Sequence, residues 1–352
     1  MSEMSLATQT LFAELLQRCL DAEFDLNYRE RGYFVRRKRR GRMYWYFQQR
    51  EGAGHRETYV GPVTDKSITD RVKRFADIKS DFKERREMVR ALTAAGLPAP
   101  DPLTGKVVEA MWKAGFFRLR GVLVGTLAYQ AYAGLLGVKL TAATTRTQDA
   151  DFAQFWGISQ NVGDSMPPML EVLRGVDATF REIPDISDPF VITCFQNKGH
   201  FKVEFLTPNR GSDDHQSRPA KMPALGGVGA QPLRHLDFLI HQPEHSLLLY
   251  GGGIPVTVPR AERYAVHKLI VAAERSNQVK ANKDILQAGT LIVALATRRP
   301  LELAAAWETA WKEGPRWREK LESGRARLTE TQQVALEGVI EKSRASRKKR
   351  RR

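Results

Sequence analysis

The chain has 352 residues, of which 42% are apolar and 9% aromatic, and its net charge is +16. That length and apolar share support a sizeable core in two or three domains and exclude a largely disordered chain. The two cysteines, Cys19 and Cys194, exclude a disulfide framework and a Cys/His zinc pattern, which points to a reducing compartment such as the cytoplasm.

The start, Met1-Ser2-Glu3-Met4-Ser5, lacks a basic segment followed by an apolar one, so no secretory signal is expected. Leu6, Leu11, Leu15, Leu16 and Leu20 recur at helical spacing and predict a helix over 6–26. Aromatic and β-branched runs follow, at Tyr33-Phe34-Val35, Met43-Tyr44-Trp45-Tyr46-Phe47 and Thr58-Tyr59-Val60. Split by Gly41 and by Gly52-Ala53-Gly54, they predict a small antiparallel meander. Residues 67–95 are charged and helix-favouring. Leu97 to Gly105, with three prolines, reads as a linker that closes an N-terminal domain over 1–100.

Beyond the linker, a helix over 106–115 is expected, then a strand over 118–124 that turns at Gly125 into a second helix. Residues 121–138 carry no charge and approach membrane-spanning length. Four glycines, Gln130 and two tyrosines fit a buried strand and helix better, and no membrane partner is expected. A strand with Asp149 and Asp151, a helix over 165–174 and strands over 190–195 and 200–206 come next. Residues 207–231 read as a long loop, and strands over 235–240 and 246–250 are expected to finish the sheet. Pro259 then opens an all-helical part. The expected division is a mixed α+β core over 106–258, a helical domain over 259–343 and a disordered basic tail over 344–352.

Placement of charge carries more information than its total. Arg36, Arg37, Lys38, Arg39, Arg40 and Arg42 supply six positive charges within seven residues, and the tail 344–352 supplies seven. The remainder of the chain is close to balanced. Concentrated basic runs are electrostatic footprints for polyphosphate partners. Around the first run the rings of Tyr33, Phe34, Tyr44, Trp45, Tyr46 and Phe47 offer stacking surfaces for single-stranded nucleic acid. The same rings equally serve as the core of the meander, and both readings hold together.

The chemistry is concentrated in Thr147-Gln148-Asp149-Ala150-Asp151-Phe152. On a strand Asp149 and Asp151 share one face, about 7 Å apart, while Ala150 and Phe152 pack on the other. Two carboxylates so placed can hold hard cations through oxygen ligands, the arrangement that metal-assisted phosphoryl or nucleotidyl transfer needs. Glu204 alternates with Val203 and Phe205 and is the third carboxylate if its strand lies alongside, with Asp237 as its rival. Gly125-Thr126 at a helix start would let backbone N–H groups and a hydroxyl approach phosphates, or is a plain turn with Thr126 as cap. Arg146 is a phosphate contact or a loop cap. His235, His241 and His245 match no common metal spacing and are expected to be satisfied or exposed.

Taken together, Gly125-Thr126, Asp149 with Asp151, and Glu204 resemble the nucleotidyltransferase superfamily of the polymerase-beta type. The run Thr145-Arg146-Thr147-Gln148-Asp149-Ala150-Asp151 is similar to a bacterial branch related to abortive-infection and toxin nucleotidyltransferases. Tyr264 to Leu269 and Lys283 to Ala288 resemble the lysine and Lys-Asp helices of that branch. The resemblance covers roughly residues 106–297, with Thr126 in place of the commoner Ser and a longer interval from Gly125 to Asp149. It implies a polymerase-beta-like α+β core, two Mg²⁺ ions held by Asp149, Asp151 and Glu204, and a nucleoside triphosphate contacted by Gly125, Thr126, Arg146, Lys268, Lys283 and Asp284.

The expected activity is transfer of NMP from an NTP to an acceptor hydroxyl. With basic runs at both ends, the expected acceptor is a nucleic acid, RNA before DNA, at a tRNA or other RNA 3′ end. A toxin or defence role with an inhibitory protein partner is compatible with the branch. Transfer to a protein or small molecule, and a non-catalytic nucleic-acid-binding protein on the same fold, remain the alternatives.

Overall fold

The computed structural model describes residues 3–22, 32–39, 41–51, 54–140, 145, 147–161, 164–185, 187–211 and 218–350. Helix α1 (Leu6–Ala22) leads into a three-stranded antiparallel sheet, β1 (Gly32–Arg39), β2 (Arg42–Glu51) and β3 (Gly54–Pro62), in that order. The long helix α2 (Lys66–Ala94) follows. Trp45 donates its indole N–H to Thr69 at 3.1 Å, which fastens the sheet to the first turns of α2.

Helix α3 runs over Pro102–Lys113, so the stretch expected as a linker ends in its first turn. Asp101 is the N-cap, accepting from the N–H groups of Leu103 and Thr104 at 3.0 and 3.1 Å, and Pro102 takes the first helical position. A proline there loses no hydrogen bond and marks a helix start as readily as a linker. The expected strand 118–124 shortens to β4 (Val122–Val124), because 115–120 forms turns with Gly115 and Arg120 at positive φ. Helix α4 (Gly125–Leu136) follows and stops at left-handed Gly137. Gly134 on α4 faces the ring of Phe12 so closely that a Cβ would overlap it, which explains the small residues of 121–138 as helix-packing residues. Among the described residues no helix is long and apolar enough to cross a membrane.

The main sheet is completed by β5 (Asp149–Ala153), β6 (Arg181–Pro184), β7 (Ile192–Gln196), β8 (Lys202–Pro208), β9 (Ala220–Lys221) and β10 (Gly229–Leu233). Short helices α5 (Trp156–Asn161) and α6 (Met169–Arg174) lie between β5 and β6. Its backbone order among the described residues is β4-β5-β8-β10-β9, with β7 and β6 branching from the first half of β8. β5 and β10 run parallel to β8, while β4 and β7 run antiparallel to their neighbours.

Two expectations fail here. The described part of 207–231 contains the end of β8, β9 and most of β10 rather than one long loop, because these strands are too short to show a periodic pattern among the prolines and glycines around them. Residues 235–240 are not a strand: Leu236–Ile240 form helix α7, with Asp237 exposed in its first turn. A run of five largely apolar residues does not distinguish strand from buried helix. The segment near 246–250 is indeed extended, as β11 (Glu244–Leu248). It pairs with β12 (Ile254–Val258) in a separate hairpin rather than joining the main sheet.

Five helices follow: α8 (Ala261–Glu274), α9 (Gln278–Arg298), α10 (Pro300–Lys312), α11 (Pro315–Ala326) and α12 (Glu330–Arg350). The expected disordered tail is helical as far as Arg350, continuing α12. One apolar cluster joins the sheet to these helices, from Val107 and Phe152 through Leu269 and Leu291 to Ile340. A second joins Phe12 and Leu15 of α1 and Leu92 of α2 to Ala133 and Leu247. The core therefore runs across residue 258, and α1 and α2 pack through the second cluster against α4 and β11.

Candidate active site

Strand β5 brings its carboxylates to the cavity by simple alternation. Ala150 and Phe152 are fully buried, with the Phe152 ring against Phe116 and Phe205, so Asp149 and Asp151 are turned to the opposite face. The parallel register with β8 places Asp151 beside Glu204 and Asp149 beside Lys202. The third carboxylate thus stands on the neighbouring strand, directly across from the second. Burial pushes the Asp151 carboxyl up to about 7, and the charges of Asp149 and Glu204 add to the effect. Thr147 donates its hydroxyl to Asp149, fixing that side chain from the preceding turn.

Gly125 links β4 to α4 with φ of +65°, and a Cβ there would fall inside the Asp151 carboxylate. Only glycine meets both conditions, a left-handed backbone and close approach. Its carbonyl oxygen is held by the Tyr264 hydroxyl at 2.9 Å, and the same hydroxyl lies 3.0 Å from Gln287 Oε1. Burial, with Asp284 nearby, pushes the Tyr264 phenol well above its usual range, so it acts as a neutral hydrogen-bond donor. Thr126 accepts a hydrogen bond from Lys283 at 3.1 Å. Burial, with Lys268 close by, lowers the Lys283 ammonium below its usual value.

Helices α8 and α9 form the facing wall. Lys268 donates to Asp284 Oδ1 at 2.5 Å and stands 5.2 Å from the Tyr264 ring centroid. Arg275 Nε lies 2.6 Å from Asp284 Oδ2. Asp284 is 3% exposed, so its charge is balanced by these two cations rather than by water. The pattern that brings these groups together is helical. Tyr264 and Lys268 lie at i and i+4 on α8, Arg275 is the extended residue that ends it, and Lys280, Lys283, Asp284 and Gln287 lie at i, i+3, i+4 and i+7 on α9.

Between the two walls the cavity has two lobes, of about 990 Å³ and about 1010 Å³. Both are lined by Gly125, Asp149, Asp151, Lys268, Arg275 and Lys280. Thr126, Lys283 and Asp284 belong to the first lobe and Glu204 to the second. The carboxylate pair therefore stands where the lobes meet. Either lobe has the volume to take a nucleotide.

The donor set fits a hard divalent cation: two half-buried carboxylates on one face, one of them pushed up to about 7 by burial first and by its like-charged neighbours second. Among the described residues no three His, Cys, Asp or Glu side chains converge on one point. An ion held by one or two carboxylates plus phosphate oxygens needs no such triple.

The structure thus brings together Gly125, Thr126, Asp149, Asp151, Glu204, Lys268, Lys283 and Asp284 from segments spread along the chain between Gly125 and Asp284. Arg146 lies outside the described residues. Asp237 lines neither lobe. Sequence assigns no role to Arg275, Lys280, Tyr264, Gln287 or Thr147; the helical stripe on α9 is the signal for Lys280 and Gln287, whereas Arg275 stands just past the end of α8. His235 is buried against Trp317, 3.5 Å from Glu274, whereas His241 and His245 are exposed.

The basic segment sits apart from this cavity, on the hairpin of β1 and β2. Arg37 pairs with Glu57, and Arg36 stands 5.3 Å from the Trp45 ring centroid. Lys38 and Arg42 are exposed, while Arg40 and the Arg39 side chain lie outside the described residues. Phe34 packs on Phe47 at 4.9 Å, so these two rings serve the sheet itself.

A family model described as Nucleotidyltransferase matches residues 102–312, well over half of the chain. The chain belongs to that family. No curated protein matches it. Among solved structures, it is similar to an antigenic nucleotidyltransferase-like protein from Paracoccidioides brasiliensis. Identity is 13% over 64% of this chain and 94% of that one, with a TM-score of 0.30.

Proposed function

Starting from membership of the nucleotidyltransferase family, we propose that this protein transfers a nucleoside monophosphate from an NTP to the 3′ hydroxyl of an RNA strand, releasing pyrophosphate. The observation that carries this reading is the position of Asp149 and Asp151 at the junction of two nucleotide-sized lobes, with the Gly125 turn closed over Asp151. The lobe over Thr126 and Lys283 takes the NTP, because a helix start, a hydroxyl and a cation suit its phosphates. The lobe beside Glu204 takes the acceptor.

Asp149 and Asp151 would hold Mg²⁺, with Glu204 beside them. When bound, the ions neutralise the triphosphate and make the acceptor hydroxyl easier to deprotonate. The acceptor hydroxyl gives its proton to Glu204, and its oxygen forms a new bond to the α-phosphorus. The bond from the α-phosphorus to the α,β-bridging oxygen breaks, and pyrophosphate leaves with that electron pair. Lys283 and Lys268 balance the charge that gathers on the leaving group, and Tyr264 holds the Gly125 turn still through the step.

The reading is tested by transfer of label from each α-phosphate-labelled NTP, with Mg²⁺, into total RNA, with wild type beside Asp149→Ala. Label enters RNA only with wild type. Label entering protein or a small molecule instead would overturn the acceptor, and no transfer to any acceptor would overturn the catalytic reading.

A further inference from the structure

Next to the acceptor lobe lies a separate cavity of about 610 Å³ whose charged lining is Arg234, Arg316, Lys320 and Glu313. Arg234 lines both this cavity and the acceptor lobe, so the two are adjacent at this residue. Arg234 and Arg316 are exposed and Lys320 is half-buried. The wall between the spaces is closely packed and paired. His235 is 2% exposed, its ring meets Trp317 edge-on at 4.3 Å, and its Nε2 lies 3.2 Å from Lys320 Nζ. Lys320 in turn pairs with Glu274, which lines the acceptor lobe. Hydrogen bonding from His235, ahead of Lys320, holds the Glu274 carboxyl down at about 2, so this brace stays charged at working pH.

A small-molecule acceptor would end inside the 1010 Å³ lobe and would leave this second cationic cavity without a use. A polyanionic strand whose 3′ end reaches Glu204 must instead continue outward, carrying one phosphate per nucleotide. Among the described residues, the charged side chain shared by the lobe and the neighbouring cavity is a guanidinium, whose fork suits phosphate oxygens. The start of α11, at Pro315-Arg316-Trp317, faces the same space and adds a weaker attraction for anions.

We infer that Arg234, Arg316 and Lys320 form a phosphate track for a single-stranded nucleic-acid acceptor, receiving the backbone just upstream of the 3′-terminal nucleotide. This inference rests on the transfer reading above and extends it from the terminal hydroxyl to the strand behind it. It makes Arg316 a positioning residue that acts only on acceptors long enough to reach it.

The test compares wild type with Arg316→Ala and Arg316→Glu, on a single-stranded RNA of about a dozen nucleotides and on a dinucleotide. Loss of one charge-assisted phosphate contact raises KM for the long acceptor about tenfold. It also reduces the slope of log affinity against log salt by about one. The charge reversal has the larger effect, while KM for NTP and for the dinucleotide stays put. An equal change for both acceptors, or none for either, overturns the track. Fluorescence anisotropy of the same labelled RNA on Asp149→Ala, with and without Arg316→Ala, separates this from failure of the transfer reading. Weaker binding with Arg316→Ala keeps the track even if no RNA is extended, and unchanged binding discards it. A DNA strand of equal length answering as RNA does keeps the track and widens the acceptor class; binding of an acidic peptide alone overturns it.

Discussion

The two walls of the active-site cavity treat charge in opposite ways. On β5 and β8 Asp151 stands beside Glu204 and shares its face with Asp149, and burial, with these two like charges adding to it, pushes the Asp151 carboxyl up to about 7. On α8 and α9 a buried carboxylate is enclosed by cations, with Asp284 between Lys268 and Arg275. Like charge held together is a site waiting for a cation; opposite charge held together is framework. The difference separates carboxylates expected to act on the substrate from one, Asp284, that holds its neighbouring cations in place.

The largest expected effect tests the first wall. Asp149→Ala or Asp151→Asn should lower transfer at least about a thousandfold, the scale of losing metal-centred charge stabilisation, measured by label transfer. Asp151→Asn should at the same time make the metal-free protein more stable. A carboxyl whose folded pKa is raised contributes stability below its unfolded value, and that stability is lost as pH rises through about 7. The gain over wild type should therefore be greatest above pH 7, by at least about 2 °C in Tm, and should vanish near pH 4. A loss of stability at pH 8 would mean that the carboxylates are not in conflict.

The second wall predicts the reverse sign. Asp284→Ala leaves Lys268 buried without a partner and should cost about 3–5 kcal/mol in chemical denaturation. Combining Lys268→Met with Asp284→Leu should recover most of that stability but not the activity. If the double variant stays as unstable as the single one, the pair does more than balance charge.

Between the walls, Gly125→Ala should cost about 1–3 kcal/mol from backbone strain and should also reduce transfer, because its Cβ displaces Asp151. Smaller still, Tyr264→Phe removes one buried hydrogen bond to the Gly125 carbonyl, worth about 1 kcal/mol. Its transfer rate should fall by about tenfold at unchanged KM for NTP, since it holds a turn rather than a ligand; a change in KM alone would assign it to binding.

Much of the first wall was legible in the chain. Ala150 and Phe152 alternate with Asp149 and Asp151, and strand geometry alone puts the carboxylates on one face. The Gly125 turn was legible as a turn, because glycine before a helix is a local signal. Arg275 was not, since its role depends on Asp284 in the next helix, and Tyr264 was visible only as a residue in an apolar helix. The short helix at Asp237 was misread because five largely apolar residues satisfy either geometry, and β11, legible as a strand, was misplaced in the main sheet because its partner β12 is set by tertiary pairing.

The sequence by itself determined which residues share a face of a strand or helix, because periods of 2 and 3.6 residues are properties of the local backbone. It determined where charge gathers along the chain and where the backbone must turn. Only the tertiary structure decided that Glu204 stands beside Asp151, that Tyr264 reaches Gly125, and that Arg234 lines two adjacent cavities. Those pairings span tens to more than a hundred residues, and they are set by strand register and helix packing, for which no local pattern carries the information.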